Sequence, residues 1–163
     1  MTVIDKRHTH IRRYTASDIP VIVKAVCDEL PKLPHYEGIT PKPDRVEFLL
    51  RNALNDESAF HVTVLCESHT NKVVGGCAAY CVTCLFSDDK VTNDLFLFIW
   101  PEWRNLLNAM KLIDSYKDWA KRRGAKIIGT THTAGYRSDA MDMLILRSGF
   151  ECIGKLYHLK QKQ

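Results

Sequence analysis

Asp94-Leu-Phe-Leu-Phe-Ile-Trp-Pro-Glu-Trp-Arg-Asn-Leu-Leu-Asn-Ala-Met-Lys111 is the stretch on which the reading of this chain turns. Leu95 to Trp100 is continuously apolar, which suits a strand covered on both faces and predicts the middle of a sheet. Pro101 ends the ladder, because proline brings no backbone donor. Leu106, Ala109, Met110, Ile113, Tyr116 and Ala120 then recur at helical spacing up to Gly124, so the strand feeds directly into an amphipathic helix. A strand, a tight turn and a helix N-terminus form a natural anion site, since the first-turn amides and the positive end of the helix dipole point at one place.

Upstream, Ser87 to Lys90 predicts the hairpin turn into this strand, and Val73 to Val82 its partner. Gly75 and Gly76 within that partner suggest a bulge or close packing. Phe60, Val62, Val64 and Cys66 alternate as another strand, and Val46, Leu49, Leu50, Ala53 and Leu54 mark a helix before it. Four prolines between Pro31 and Pro43 break the chain, so 33–38 is expected to be an irregular loop. The N-terminal part reads as a strand from His10 to Tyr14, capping residues Thr15 to Asp18, and a helix with Ile19, Ile22, Val23, Val26 and Leu30 on one side. Downstream, Lys126 to Thr130 predicts a short strand parallel to the central one, because a helix of this length is the usual crossover. A loop from Thr131 to Tyr136, a helix from Ser138 to Leu146 and closing strands between Phe150 and Leu159 complete the prediction.

Composition bounds the alternatives. The 163 residues are 45% hydrophobic, enough for one ordinary core in one domain. No apolar stretch approaches the roughly 20 residues of a membrane span, and Met1 to His10 has no signal-like segment after it, so a cytoplasmic protein is expected. Cys27, Cys66, Cys77, Cys81, Cys84 and Cys152 lie mostly in apolar segments, as reduced thiols do. Cys77, Cys81 and Cys84 form C-x3-C-x2-C, but Cys84 points away from the other two on an extended strand and no fourth ligand is suitably spaced, so no metal is expected. The net charge of +4 is concentrated in Lys121, Arg122, Arg123 and Lys126 at a helix C-terminus, where cations complement the dipole. Without a basic stripe interleaved with exposed aromatics, nucleic-acid binding is not expected.

Ile99-Trp-Pro-Glu-Trp-Arg104, with Arg104 and Ala109 at the ends of the following turn, resembles the signature of the GCN5-related N-acetyltransferases, the GNAT family: Val-x-Pro-x-Tyr-Arg, then Arg/Gln-x-x-Gly-x-Gly/Ala. Leu107 stands where most members carry the first glycine, although some phage-type members also lack it. The helix continuation from Tyr116 to Ile128, Ser148-Gly-Phe150 and the segment Arg12 to Asp18 also resemble the family, so the likeness covers roughly the whole chain. The resemblance implies a mixed α/β (α+β) fold with six to seven strands and about four helices, in which parallel strands four and five splay apart. It further implies acetyl-CoA as co-substrate. Its pyrophosphate would rest on Arg104, Asn105, Leu106, Leu107, Asn108, Ala109 and Met110, with Leu107 turned inward, and its pantetheine arm on the backbone of Phe98, Ile99 and Trp100.

The acceptor would be an amine, and the resemblance places its recognition in the loop containing His35, Tyr36 and Glu37. The family's general base falls at Asn93 or Asp94, of which Asp94 is the better chemical candidate. Its usual acid, a tyrosine, is replaced by Ile145, and Ser138 stands for an asparagine, so His132 and Tyr136 are the candidate substitutes. Two function classes follow: an active N-acetyltransferase working through a ternary complex, or a GNAT-shaped interaction module without catalysis, such as a phage might encode. Dimers are common in the family, and a C-terminal strand could mediate one.

Overall fold

The computed structural model describes residues 8–131, 138–154 and 159. Among these the chain forms β1 (Thr9–Arg13), α1 (Ile19–Glu29), α2 (Pro43–Asn55), β2 (Phe60–Glu67), β3 (Val73–Thr83), β4 (Lys90–Ile99), α3 (Leu106–Arg122), β5 (Ala125–Gly129) and α4 (Ser138–Arg147). The five strands make one sheet in the order β1-β2-β3-β4-β5. The first four are antiparallel neighbours, and β5 joins β4 in parallel. Five strands lie among the described residues, where six to seven were expected over the whole chain, the remainder between Phe150 and Leu159. Residues 150–154 carry no strand, and 155–158 lie outside the described residues. The proline-rich stretch is more regular than expected, with single 3-10 turns at Leu30–Lys32 and Pro34–Tyr36.

The sheet buries both faces. On one, Ile19, Ile22 and Ala25 of α1 and Leu50 and Ala53 of α2 pack against Val62, Val64, Ala78 and Phe98. On the other, Leu112 of α3 meets Leu65, Val74, Cys77 and Ile99, and Trp119 and Tyr116 of the same helix meet Ala79. Leu65 and Leu112 are fully buried, so each contributes about 1.5–3 kcal/mol through burial alone. The two glycines of β3 serve close approach. A Cβ at Gly75 would lie 2.8 Å from the Phe98 carbonyl oxygen, and one at Gly76 would lie 3.1 Å from that of Thr63.

Local signals explain the ends of the elements. Asp18 accepts from the Thr15 amide at 2.8 Å and from both terminal nitrogens of Arg12 at 2.7 and 3.0 Å. The Arg12 guanidinium holds the Asp18 carboxyl below its ordinary range, which ties β1 to the start of α1. Tyr14 donates to the Leu50 carbonyl at 2.5 Å and links the same region to α2. Gly124, at φ 73°, terminates α3 in the left-handed conformation that favours glycine.

No described helix is long and apolar enough to cross a membrane. No group of three or more potential metal ligands occurs among the described residues, and all six cysteines are free.

Candidate functional site

The site arises because β4 has two neighbours for only part of its length. Lys90 to Asn93 pair with Ala125 to Gly129 of β5, while pairing with β3 continues to Ile99. From Asp94 onward, therefore, the edge of β4 that faced β5 is open. A bulge at Leu95 interrupts the β3–β4 register between Ala78 and Ala79, bending the strand where it leaves β5.

Antiparallel alternation decides which backbone groups face the opening. The Trp100 amide donates to the Val74 carbonyl at 2.9 Å, so Trp100, and with it Phe98 two residues earlier, turns its polar groups toward β3. Leu97 and Ile99 turn theirs toward the gap, where the Ile99 carbonyl accepts from Arg104 Nε at 2.8 Å. The sequence expectation that Phe98, Ile99 and Trp100 all offer backbone groups is thus corrected: Ile99 does, Leu97 joins it, and Phe98 and Trp100 spend their groups on β3.

The opening is a cavity of about 460 Å³ lined from both faces of the sheet. Arg104, Asn105, Leu106 and Ala109 at the start of α3 border it. Asn105 caps the helix by accepting from the Asn108 amide at 2.8 Å, which leaves the amides of Leu106 and Leu107 as the outward first-turn donors. The Asn108 side chain is fully buried, accepting from Thr9 Oγ1 at 2.6 Å and donating to the Trp103 carbonyl at 2.9 Å. It anchors the turn to β1. Neither Asn108, Leu107 nor Met110 lines the cavity. Leu107 is 50% exposed, which corrects the expectation that it turns inward: one position after Leu106 in a helix, it points to solvent. The same placement keeps its side chain out of the gap.

Asp94 lies on the cavity wall and accepts from the Thr131 amide at 2.9 Å, so its carboxylate spans the point where the two strands part. Burial pushes its pKa above the ordinary value, against the Thr131 hydrogen bond that favours the charged form. Tyr116, overlooked as a site residue because it reads as part of an apolar helix face, closes the floor. Its hydroxyl donates to the Gly129 carbonyl at 2.7 Å and lies 3.0 Å from Thr92 Oγ1, and burial raises its pKa to about 12. The Cys77 thiol also borders the cavity, but burial raises its pKa to about 12, so it is protonated and no nucleophile.

Tyr36 reaches the cavity whereas His35 and Glu37 do not. Ile145 of α4 lines it, with an aliphatic side chain. His132 and Tyr136 lie outside the described residues.

The chain superposes along nearly its whole length on solved acetyltransferase structures. An aminoglycoside acetyltransferase from an uncultured soil metagenomic sample superposes with a TM-score of 0.70 at 17% identity, covering 99% of each chain. This chain shares the fold of that acetyltransferase. A possible acetyltransferase from Clostridium difficile 630 gives a TM-score of 0.68 at 16% identity, covering 95% of this chain and 99% of that one. A GNAT family acetyltransferase from Staphylococcus aureus gives 0.61 at 16%, covering 94% and 99%. No protein-family model and no curated protein matches the sequence. The acetyltransferase fold is therefore legible from backbone geometry where sequence comparison finds no match.

Proposed function

We propose that the chain is an N-acetyltransferase that moves an acetyl group from acetyl-CoA to a primary amine by direct attack in a ternary complex. The observation that carries this reading is the open edge of β4 after Asn93, with the start of α3 at one end of the same cavity. An extended pantetheine arm would add to that edge through the outward groups of Leu97 and Ile99, as a peptide strand adds to a sheet. The pyrophosphate would take the outward amides of Leu106 and Leu107, with the Arg104 side chain beside it.

Asp94 is the proposed general base. An ammonium is not a nucleophile, and a carboxylate whose pKa is raised by burial accepts its proton more readily near neutrality. The freed amine attacks the thioester carbonyl, a C–N bond forms, the C–S bond breaks, and the thiolate leaves with a proton. Preorganised edge amides are suited to stabilise the oxyanion. Tyr116 cannot readily supply the leaving-group proton, because its hydroxyl is committed to Gly129. His132 and Tyr136 remain the proposed acids.

One observation favours the second reading, a binding module without turnover: Ile145 presents a methyl-bearing wall where the resemblance expects an acid. Two measurements separate the readings. Acetyl-CoA at 100 times its dissociation constant should stabilise the protein by about 2.7 kcal/mol, and thiol release should follow on adding a competent amine. Binding without release supports the silent module; no stabilisation contradicts both uses of the cavity.

A further inference from the structure

We propose that the acceptor is an amine bearing a single positive charge on an apolar body, such as an alkylamine or arylalkylamine. This inference rests on the acetyl-transfer reading of the cavity. Much of the cavity wall is aliphatic, with Val26, Leu30 and Leu33 from α1 and the turns after it, and Met141 and Leu144 from α4. Tyr36 adds an aromatic ring to the same wall.

Charge on the cavity is sparse. Among its described lining residues only Glu29, Asp94 and Arg104 are charged. Glu29 is already paired with Lys32 Nζ at 2.8 Å, and Arg104 sits at the α3 end with its Nε on the Ile99 carbonyl. That leaves Asp94 to receive one ammonium. Residues 132–137 and 155–163 contain no aspartate or glutamate. Asp5 is the one carboxylate within 1–7, and it precedes β1, the strand at the other edge of the sheet from β5.

A polycation would bring further ammonium groups against aliphatic side chains, where each loses its hydration without gaining a partner. A hydrocarbon body, by contrast, gains from burial on that wall. The acetyltransferase fold does serve polycations elsewhere: one structural neighbour, at 17% identity and a TM-score of 0.66, is an aminoglycoside acetyltransferase in complex with sisomicin. The wall composition here predicts the opposite preference.

The test is acetyl-CoA-dependent thiol release with 2-phenylethylamine, hexylamine, a peptide beginning with phenylalanine, spermidine and sisomicin. The expected result is a kcat/KM at least about tenfold higher for the two apolar monoamines than for spermidine or sisomicin. If the peptide matches the monoamines, the apolar amine is a protein terminus; if it lags, the amine is a free small molecule; either supports the assignment. Leu33→Asp, which places a second carboxylate on the wall, should raise spermidine kcat/KM and lower that of 2-phenylethylamine. Faster turnover of spermidine or sisomicin by the unaltered protein overturns the inference and leaves the transferase reading standing. Turnover of none of the five amines by a protein that binds acetyl-CoA also overturns it. Failure to bind acetyl-CoA removes the transferase reading, and the acceptor assignment with it.

Discussion

The two halves of β4 share one strand but live in different surroundings. Lys90 to Asn93 have a neighbour on each side, and their region is sealed: Tyr116 bridges toward Thr92 and Gly129, and a Cβ at Gly129 would meet Asn93 Oδ1 at 2.1 Å. Asp94 to Ile99 keep β3 and lose β5, and they line the cavity. The closed half provides rigidity, and the open half turns the backbone groups of Leu97 and the Ile99 amide toward space that a ligand can enter, the Ile99 carbonyl already accepting from Arg104. Unpaired edge groups are usually a hazard. Here they lie inside a cavity walled by α3 and α4, where a ligand can take them and another sheet cannot.

Asp94→Asn breaks the open half most directly. Removing the proposed base should lower turnover roughly 10²–10⁴-fold, read by thiol release, with acetyl-CoA affinity unchanged by calorimetry. Because burial raises its folded-state pKa, the charged carboxylate costs stability at neutral pH, so the same variant should melt at a higher temperature. Unaltered turnover would remove Asp94 from the chemistry.

His61 probes the sealed side of the sheet. It stacks on Trp119 at 5.3 Å, its Nε2 lies 3.0 Å from Thr63 Oγ1, and burial lowers its pKa to about 4. The unfolded chain takes up this proton near its ordinary pKa of about 6.5, whereas the folded one resists until about 4. Stability is therefore fully present above pH ~6.5 and falls by roughly 3 kcal/mol on the way down to pH ~4. Denaturant titrations across that window should show the loss, and His61→Gln should show a smaller one. Equal slopes for the two proteins would contradict a buried neutral imidazole.

Tyr116→Phe is the mildest change and acts where the halves meet. Losing the hydroxyl leaves the Gly129 carbonyl without its donor and should cost about 1 kcal/mol, measured by chemical denaturation. An unchanged stability would mean the bridge does not hold the strands at their parting point.

Much of this arrangement was legible in the residues. The apolar run 95–100, the helical spacing after Pro101 and the terminating Gly124 predicted a strand, a turn and a helix, and β4, a 3-10 turn at Pro101–Trp103 and α3 follow that order. The parallel β5 followed from helix length. The fine geometry was not legible, for physical reasons. Side chains and backbone groups alternate with period two, so the single extra residue at Leu95 reverses the facing of everything after it, and nothing in an all-apolar run marks a bulge. Leu107 was expected to turn inward so that its amide could face a phosphate unobstructed, yet helix geometry turns its side chain to solvent. Tyr116 carries the same apolar spacing signal as its helix neighbours, so its hydroxyl's role appears only when β4 and β5 are seen to part. How far β5 accompanies β4 is a tertiary property, set by packing rather than by either strand alone.

Amide hydrogen exchange along β4, resolved by residue with and without acetyl-CoA, tests the open edge most directly. The Leu97 and Ile99 amides should exchange quickly in the free protein and slow on adding acetyl-CoA, while those of Phe98 and Trp100 stay protected throughout. Leu97 and Ile99 amides that are already protected without ligand, or that do not respond to saturating acetyl-CoA, would contradict a pantetheine arm lying along this strand.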